Sequence, residues 1–164
     1  MWPRNAVMYN SRMRVALGAD HAGFELKESL KRILDARGVA WRDLGTNSPD
    51  SVDYPDYASK VGHAVSGGDA DRGILVCGSG VGMAIAANKV AGVRAAQIGD
   101  AEAAALAREH NDLNVLTLAG RRLTADQAAP IVAAFLDTPF AGGRHERRLG
   151  KVREIEAETS GSCG

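Results

Sequence analysis

The fold is decided by the stretch Gly73-Ile-Leu-Val-Cys77, which runs directly into Gly78-Ser-Gly-Val-Gly82. The first five residues are a continuous apolar run bounded by glycine, the pattern of a parallel strand that is buried on both faces. The glycines then turn the chain, and a helical pattern resumes at Met83 and continues to Lys89. A buried strand, a glycine-rich turn and a helix together form the repeating unit of α/β proteins with a parallel sheet.

The same alternation extends in both directions from this unit. The predicted strands are residues 14–18, 39–44, 73–77, 93–98 and 114–118. The predicted helices are residues 24–37, 57–65, 83–89, 101–109, 126–136 and about 144–158. This order predicts an α/β fold, a three-layer α/β/α sandwich with a Rossmann-like five-stranded parallel sheet and a C-terminal helix. Because no repeat or linker interrupts it, residues 13–158 are predicted to form one domain, with residues 1–12 and 159–164 as flexible tails.

Composition narrows the possible functions. The 164 residues include 20 Lys plus Arg and 20 Asp plus Glu, and this balance argues against a nucleic-acid partner or a membrane surface. No apolar run approaches the ~20 residues of a membrane-spanning helix. The two cysteines, Cys77 and Cys163, do not suggest a disulfide scaffold. Since residues 1–12 also lack the apolar core of a signal peptide, a cytoplasmic protein is predicted.

Ligands of open parallel sheets bind at the carboxyl ends of the strands, which selects the loops at residues 18–23, 77–82 and 120–122. The second loop carries the sharpest signal, because its alternating glycines precede a helix and present backbone N–H groups to an anion. The same field favours the thiolate form of Cys77. Two structural alternatives stay open, a buried packing cysteine at Cys77 and a simple helix cap at Asp20.

Several other kinds of site are disfavoured. The histidines show no metal-ligand spacing and the chain has no cysteine cluster, so neither a metal nor another cofactor is predicted. Met83 occupies the place where a tyrosine-phosphatase loop needs arginine and where a dinucleotide-binding loop needs its third glycine. Arg144 and Arg148 share one face at a helix start, where a bound anion would relieve their repulsion. A solvated charged face is the alternative for this pair.

Taken together, these motifs resemble ribose-5-phosphate isomerase, type B, from about Met13 to Glu156. The resemblance rests on six motifs in the family's order: Gly18-Ala-Asp-His-Ala-Gly-Phe24, Asp53-Tyr-Pro-Asp-Tyr-Ala58, Gly73-Ile-Leu-Val-Cys-Gly-Ser-Gly-Val-Gly-Met83, Ala86-Ala-Asn-Lys89, His110-Asn-Asp112 and Gly142-Gly-Arg-His145. Members interconvert ribose 5-phosphate and ribulose 5-phosphate without a metal. They form homodimers, or in some cases tetramers, with the site at the subunit interface.

The resemblance implies three catalytic residues. Cys77 would be the general base that moves a proton between C2 and C1 of the opened sugar, and Ser79 would relay a proton between O1 and O2. His110 would open the furanose ring, a task that suits imidazole near neutral pH. Some members carry a glutamate base at the position of Met83, so this chain resembles the cysteine type.

The resemblance also implies a set of substrate-binding residues. The N–H groups of the glycine loop would hold the enediolate, Asn111 the carbonyl end, Asp20 the sugar hydroxyls, and His21 with three arginines the phosphate. The implied binding residues are Asp20, His21, Tyr54, Gly78, Gly80, Gly82, Asn111, Arg121, Arg144 and Arg148.

Two other functions are considered. One is isomerisation of a six-carbon sugar phosphate, such as galactose 6-phosphate or allose 6-phosphate. The other is a non-catalytic, flavodoxin-like nucleotide-binding module in which Cys77 only packs. The expected convergence of base, acid and paired arginines on strand-end loops argues against the module. Dimer or tetramer, and the subunit that supplies each residue, are left open.

Overall fold

The structure, a computed structural model, describes residues 13–161. The predicted tail at residues 1–12, and residues 162–164 with Cys163, lie outside the described residues. Within them the strands are β1 (Arg14–Ala19), β2 (Ala40–Asp43), β3 (Arg72–Cys77), β4 (Ala95–Gln97) and β5 (Val115–Ala119). The helices are α1 (Phe24–Ala36), α2 (Tyr54–Ser66), α3 (Val81–Ala87), α4 (Ala101–Asn111), α5 (Ala125–Asp137) and α6 (Arg144–Ser160).

The five strands form one parallel sheet in the order β2-β1-β3-β5-β4. One apolar cluster joins one face of the sheet to α1, α4 and α5, and a second joins the other face to α2 and α3. The predicted three-layer α/β/α sandwich is therefore confirmed. β3 lies at the centre, where residues 73–77 are buried as their unbroken apolar pattern predicts.

Several boundaries differ from the predicted ones. α2 begins at Tyr54, before the predicted helix start, because Pro55 stands in the first turn, where its missing N–H costs no hydrogen bond. α3 begins at Val81 rather than Met83, and β4 is shorter than predicted. α6 continues to Ser160, so part of the second predicted tail is helical.

The topology determines which residues can meet. β1 and β3 are neighbours, but the chain proceeds from them to opposite sides of the sheet, which leaves a crevice at their carboxyl ends. The helices run back against the strands, so each helix that leads into a strand ends at the amino edge of the sheet. α4 is such a helix, since it ends at Asn111 and the chain enters β5 at Val115.

Candidate active site

A cavity of about 730 Å³ occupies the crevice at the carboxyl edge of the sheet. Its walls come from the loops that follow β1, β3 and β5 and from the first turns of α2 and α3. The lining residues are Asp20, His21, Ala22, Tyr54, Cys77, Gly78, Ser79, Val81, Gly82, Ile85, Arg121 and Arg122. The loops chosen by the strand-end rule therefore form one site.

Cys77 ends β3, is 5% exposed and is one of the residues that line the cavity. Its Sγ accepts a hydrogen bond from the backbone N–H of Gly80 at 3.2 Å. Gly80 adopts φ +77°, a left-handed conformation that glycine enters without steric cost, and this turn brings its N–H back over the sulfur. A thiolate at Cys77 would strengthen this bond, because charged acceptors bind N–H groups more tightly.

Thr117 stabilises the glycine loop by a hydrogen bond from the neighbouring strand β5. Its hydroxyl, fully buried on β5, donates to the carbonyl of Gly80 at 2.7 Å. The carbonyl is thereby fixed away from the cavity, while the N–H groups of Ser79 and Gly82 have no acceptor among the described residues. The sequence analysis did not identify Thr117, although a single polar residue inside an otherwise apolar strand could have indicated a buried hydrogen bond.

Asp20 and His21 follow β1 directly. Asp20 Oδ1 accepts from the N–H groups of Ala22 and Gly23 at 3.0 and 3.1 Å, so the carboxylate shapes the turn before α1. The alternative of a simple helix cap is therefore wrong, because the N-cap of α1 is Gly23 and no side chain caps that helix, while Asp20 shapes the preceding turn and lines the cavity. His21 Nδ1 accepts from the N–H of Val52 at 3.2 Å, which assigns the ring proton to Nε2 and makes that nitrogen a donor.

Two contacts place the remaining side chains of the cavity. A Cβ added to Gly82 would lie 2.8 Å from Cζ of Tyr54, so the Tyr54 ring rests on the bare glycine backbone. Arg121 lies over Gly78 in the same way, with its N–H bonded to the Gly78 carbonyl at 3.2 Å. Arg122 also lines the cavity, although only Arg121 was predicted as a binding residue.

The other predicted residues form a second cluster, at the end of α4 and the start of α6. The rings of His110 and His145 are stacked with centroids 4.4 Å apart and planes 13° apart. The N–H of Ala141 donates to the carbonyl of Glu109 at 3.1 Å, which brings the start of α6 beside the end of α4. Asn111 lines a different groove of about 530 Å³, beside α6.

His145 is 7% exposed, and its Nδ1 has no hydrogen-bond partner among the described residues. Burial of the ring lowers the pKa of His145 below its usual 6.5, and the positive charges of His110, Arg144 and Arg148 lower this pKa further. The neutral form of the His145 ring is therefore favoured.

The two clusters lie at opposite edges of the sheet. Cys77 pairs in register with Ala119, at the carboxyl end of β5, whereas α4 carries His110 to the end where β5 begins, at Val115. Four residue steps along β5 correspond to on the order of 13 Å. The expectation that base, acid and paired arginines converge on strand-end loops is wrong for a single chain, because His110, Arg144 and Arg148 stand on helix ends.

Within residues 13–161, no group of three or more His, Cys, Asp or Glu side chains is arranged to hold a metal ion. Over the same residues, no helix combines the length and apolar character needed to cross a membrane.

The family model for ribose/galactose isomerases matches residues 15–152 of the chain. The chain belongs to the ribose/galactose isomerase family. It is 47% identical over 143 residues to ribose-5-phosphate isomerase B of Escherichia coli (strain K12), an alignment that covers 87% of this chain and 96% of that protein. The resemblance stated from the motifs is therefore confirmed.

Solved structures of this isomerase family share the fold. Ribose-5-phosphate isomerase B from Clostridium thermocellum matches with a TM-score of 0.88 and 46% identity, over 90% of this chain and 99% of that one. The enzyme from Mycoplasma genitalium, solved with bound ribulose 5-phosphate, matches with a TM-score of 0.85 and 42% identity, over 90% and 98%. Membership of an isomerase family replaces the alternative of a non-catalytic, flavodoxin-like module.

Proposed function

We propose that this protein interconverts D-ribose 5-phosphate and D-ribulose 5-phosphate by proton transfer through a cis-enediolate. The observation that carries the proposal is Cys77, which lines the cavity and whose Sγ accepts a hydrogen bond from the backbone N–H of Gly80 in the glycine loop. The relatives named ribose-5-phosphate isomerase B supply the substrate.

Proton transfer is assigned to Cys77. As a thiolate it would take the proton from C2 of the open aldose and return it to C1, with the free N–H groups of Ser79 and Gly82 stabilising the enediolate oxygens. The Ser79 hydroxyl oxygen accepts from the N–H of Val81 at 3.2 Å, so its own proton is available to move between O1 and O2.

Ring opening and phosphate binding require groups from both clusters. His110 would protonate the ring oxygen as the furanose opens. Among the described residues, Arg121, Arg144 and Arg148 form no salt bridge, so their guanidinium groups are available to an anion. Paired guanidinium groups bind phosphate through strong, charge-assisted hydrogen bonds.

The division of these groups supports a site shared between two copies of the chain. We assign the cavity with Cys77 to one copy, and His110, Asn111, Arg144 and Arg148 to the other. Exposed apolar side chains support this assembly, since Val81 and Ile85 at the cavity rim are 51% and 58% exposed. A homodimer is the smallest assembly that completes both sites. Cytoplasmic localisation stays a prediction from the sequence.

The test is a coupled assay of ribose 5-phosphate isomerisation, with and without a chelator. Activity that persists with the chelator supports direct proton transfer. Cys77→Ala is expected to lose about 10²- to 10⁴-fold in kcat, the contribution of a general base, while it still binds sugar phosphate. Cys163→Ser is the control for the second thiol and should keep wild-type activity. Near-normal kcat in Cys77→Ala would refute the assignment.

The family's description also includes galactose, which keeps a six-carbon substrate as the second candidate. The same preparation is therefore compared on ribose 5-phosphate, galactose 6-phosphate and allose 6-phosphate. The proposal expects the highest kcat/KM on ribose 5-phosphate. A higher value on either six-carbon sugar would transfer the assignment to that substrate.

A further inference from the structure

The last turn of α4 is fastened by the residue that follows it. Asp112 adopts φ 45° and ψ 48°, and among the described residues it is the only non-glycine residue with positive φ. Left-handed backbone is strained for a residue with a side chain, so the surrounding contacts must hold it in place. Its N–H still donates to the carbonyl of Arg108 at 3.1 Å and so closes the helix.

The carboxylate of Asp112 bridges two arginines. Oδ1 accepts from Nη1 of Arg108 at 2.8 Å, and Oδ2 accepts from Nη2 of Arg94 at 3.0 Å. Arg108 is 2% exposed, so this side of the bridge is shielded from water. Each oxygen has its own cation, a geometry that fixes the orientation of the carboxylate as well as its position.

The same two arginines also hold the backbone around Asp112. Nε of Arg94 donates to the carbonyls of Asn111 and Asp112 at 3.2 and 2.9 Å, and Nη1 of Arg108 donates to the carbonyl of Leu113 at 2.6 Å. The end of a helix normally frays because its last carbonyls lack partners. Here the carbonyl of Asn111, the last residue of α4, is bound, and so are the carbonyls of the two residues that follow it.

We propose that Asp112 is a positioning residue for His110, acting through its bridge to Arg94 and Arg108. The inference rests on the proposed function, in which His110 opens the sugar ring at the site of a second copy. A group that acts across a subunit boundary has to be rigid in its own subunit, and misplacement by about 1 Å can cost 10²-fold in rate.

The test separates ring opening from proton transfer. Isomerisation of ribose 5-phosphate requires both steps. Exchange of a C1 hydrogen of ribulose 5-phosphate with deuterium from the solvent requires only the enediolate, because phosphate on the C5 oxygen prevents that ketose from forming a five-membered ring. In variants that leave Cys77 and Ser79 unchanged, a change in the ratio of the isomerisation rate to the exchange rate therefore reports on ring opening.

The informative variant is Asp112→Gly, since glycine accepts the left-handed backbone but removes the carboxylate. We expect its isomerisation-to-exchange ratio to fall by roughly 10- to 100-fold. Asp112→Asn, which tolerates the same backbone and keeps one oxygen, should fall between this variant and wild type. If Asp112→Gly fails to fold, Arg94→Gln is measured in its place. This variant removes one side of the bridge without changing Asp112 itself, and it should also lower the ratio.

Asp100→Ala is the matched control at the other end of the same helix. Asp100 caps α4 by accepting from the N–H of Ala103 at 2.8 Å, so the control weakens the helix but leaves the bridge to Asp112 intact. Its ratio should equal that of wild type. A wild-type ratio in Asp112→Gly, or an equal fall of both rates in that variant, would overturn the positioning role. Wild-type protein that catalyses neither reaction would instead overturn the proposed function.

Discussion

Mixing two inactive variants, Cys77→Ala and His110→Ala, is expected to restore activity. Each variant alone lacks one group in every site. If each site combines the cavity of one copy with the α4 end of the other, a hybrid dimer contains one site with both groups and one site with neither. The restored activity therefore measures whether Cys77 and His110 act from different chains.

The distance between Cys77 and His110 argues against the alternative, a site formed within one chain. Base and acid must each lie within about 3 Å of the atoms that they serve, on a sugar only a few bonds long. Within one chain, Cys77 lies beside the carboxyl end of β5 and His110 lies at the edge where β5 begins, on the order of 13 Å apart along the strand direction. Random pairing of equal amounts of the two chains yields hybrids as about half of the dimers, each with one of two sites complete. The expected recovery is thus about a quarter of wild-type activity.

The assay mixes the two purified proteins, exchanges subunits in mild denaturant, dilutes the sample and measures ribose 5-phosphate isomerisation. Native mass spectrometry counts the hybrids. The matched control mixes Cys77→Ala with Arg121→Ala, because both residues lie in the same cavity and no hybrid then has a complete site. Absence of recovery while hybrids are present, or equal recovery in the control, would refute the shared site.

Three further outcomes are expected. Gly82→Ala should raise KM for ribose 5-phosphate about 10-fold, because the new methyl group would collide with the Tyr54 ring at 2.8 Å, whereas Gly99→Ala, with no atom within 4 Å, should match wild type. The melting temperature should fall as the pH drops below 6.5, because His145 takes up a proton in the unfolded chain at a higher pH than in the folded protein. His145→Gln should weaken this dependence when melting temperatures are measured over a series of pH values. Alkylation of Cys77, followed by mass spectrometry, should inactivate the enzyme and should be slowed by ribulose 5-phosphate, and equal rates with and without the sugar would contradict its place in the site.

The fold was predictable because local and long-range signals agree. The buried run at residues 73–77 and the glycines after it mark the central strand and its turn, and the remaining elements follow by alternation. The errors lie where a loop signal and a helix signal overlap. Pro55 resembles a loop residue in the sequence, yet it occupies the first turn of α2, and this shift places Tyr54 at the cavity.

The site was only half predictable. The rule that ligands bind at strand ends identified Asp20, Cys77 and Arg121, which share one cavity. The rule does not apply to His110, which stands at a helix end. A list of sequence motifs does not by itself show at which edge of the sheet, carboxyl or amino, each motif lies. The alternation of strands and helices contained that information, since a helix that precedes a parallel strand ends at the amino edge.

The proposed division of the site between two chains follows from this alternation and would explain features that look unrelated in one chain. In the proposed site, the base at a strand end and the acid at a helix end come together when two copies pair, with the carboxyl edge of one against the amino edge of the other. A two-fold axis would satisfy this requirement twice, so that each proposed dimer would carry two complete sites. The proposed pairing would also give Arg144 and Arg148, which form no salt bridge with any residue that the structure describes, a phosphate to bind, and it would cover the exposed Ile85. Under this proposal the contacts that hold Asp112 have a reason, because the precision of each site would depend on the rigidity of a helix end that belongs to the other chain.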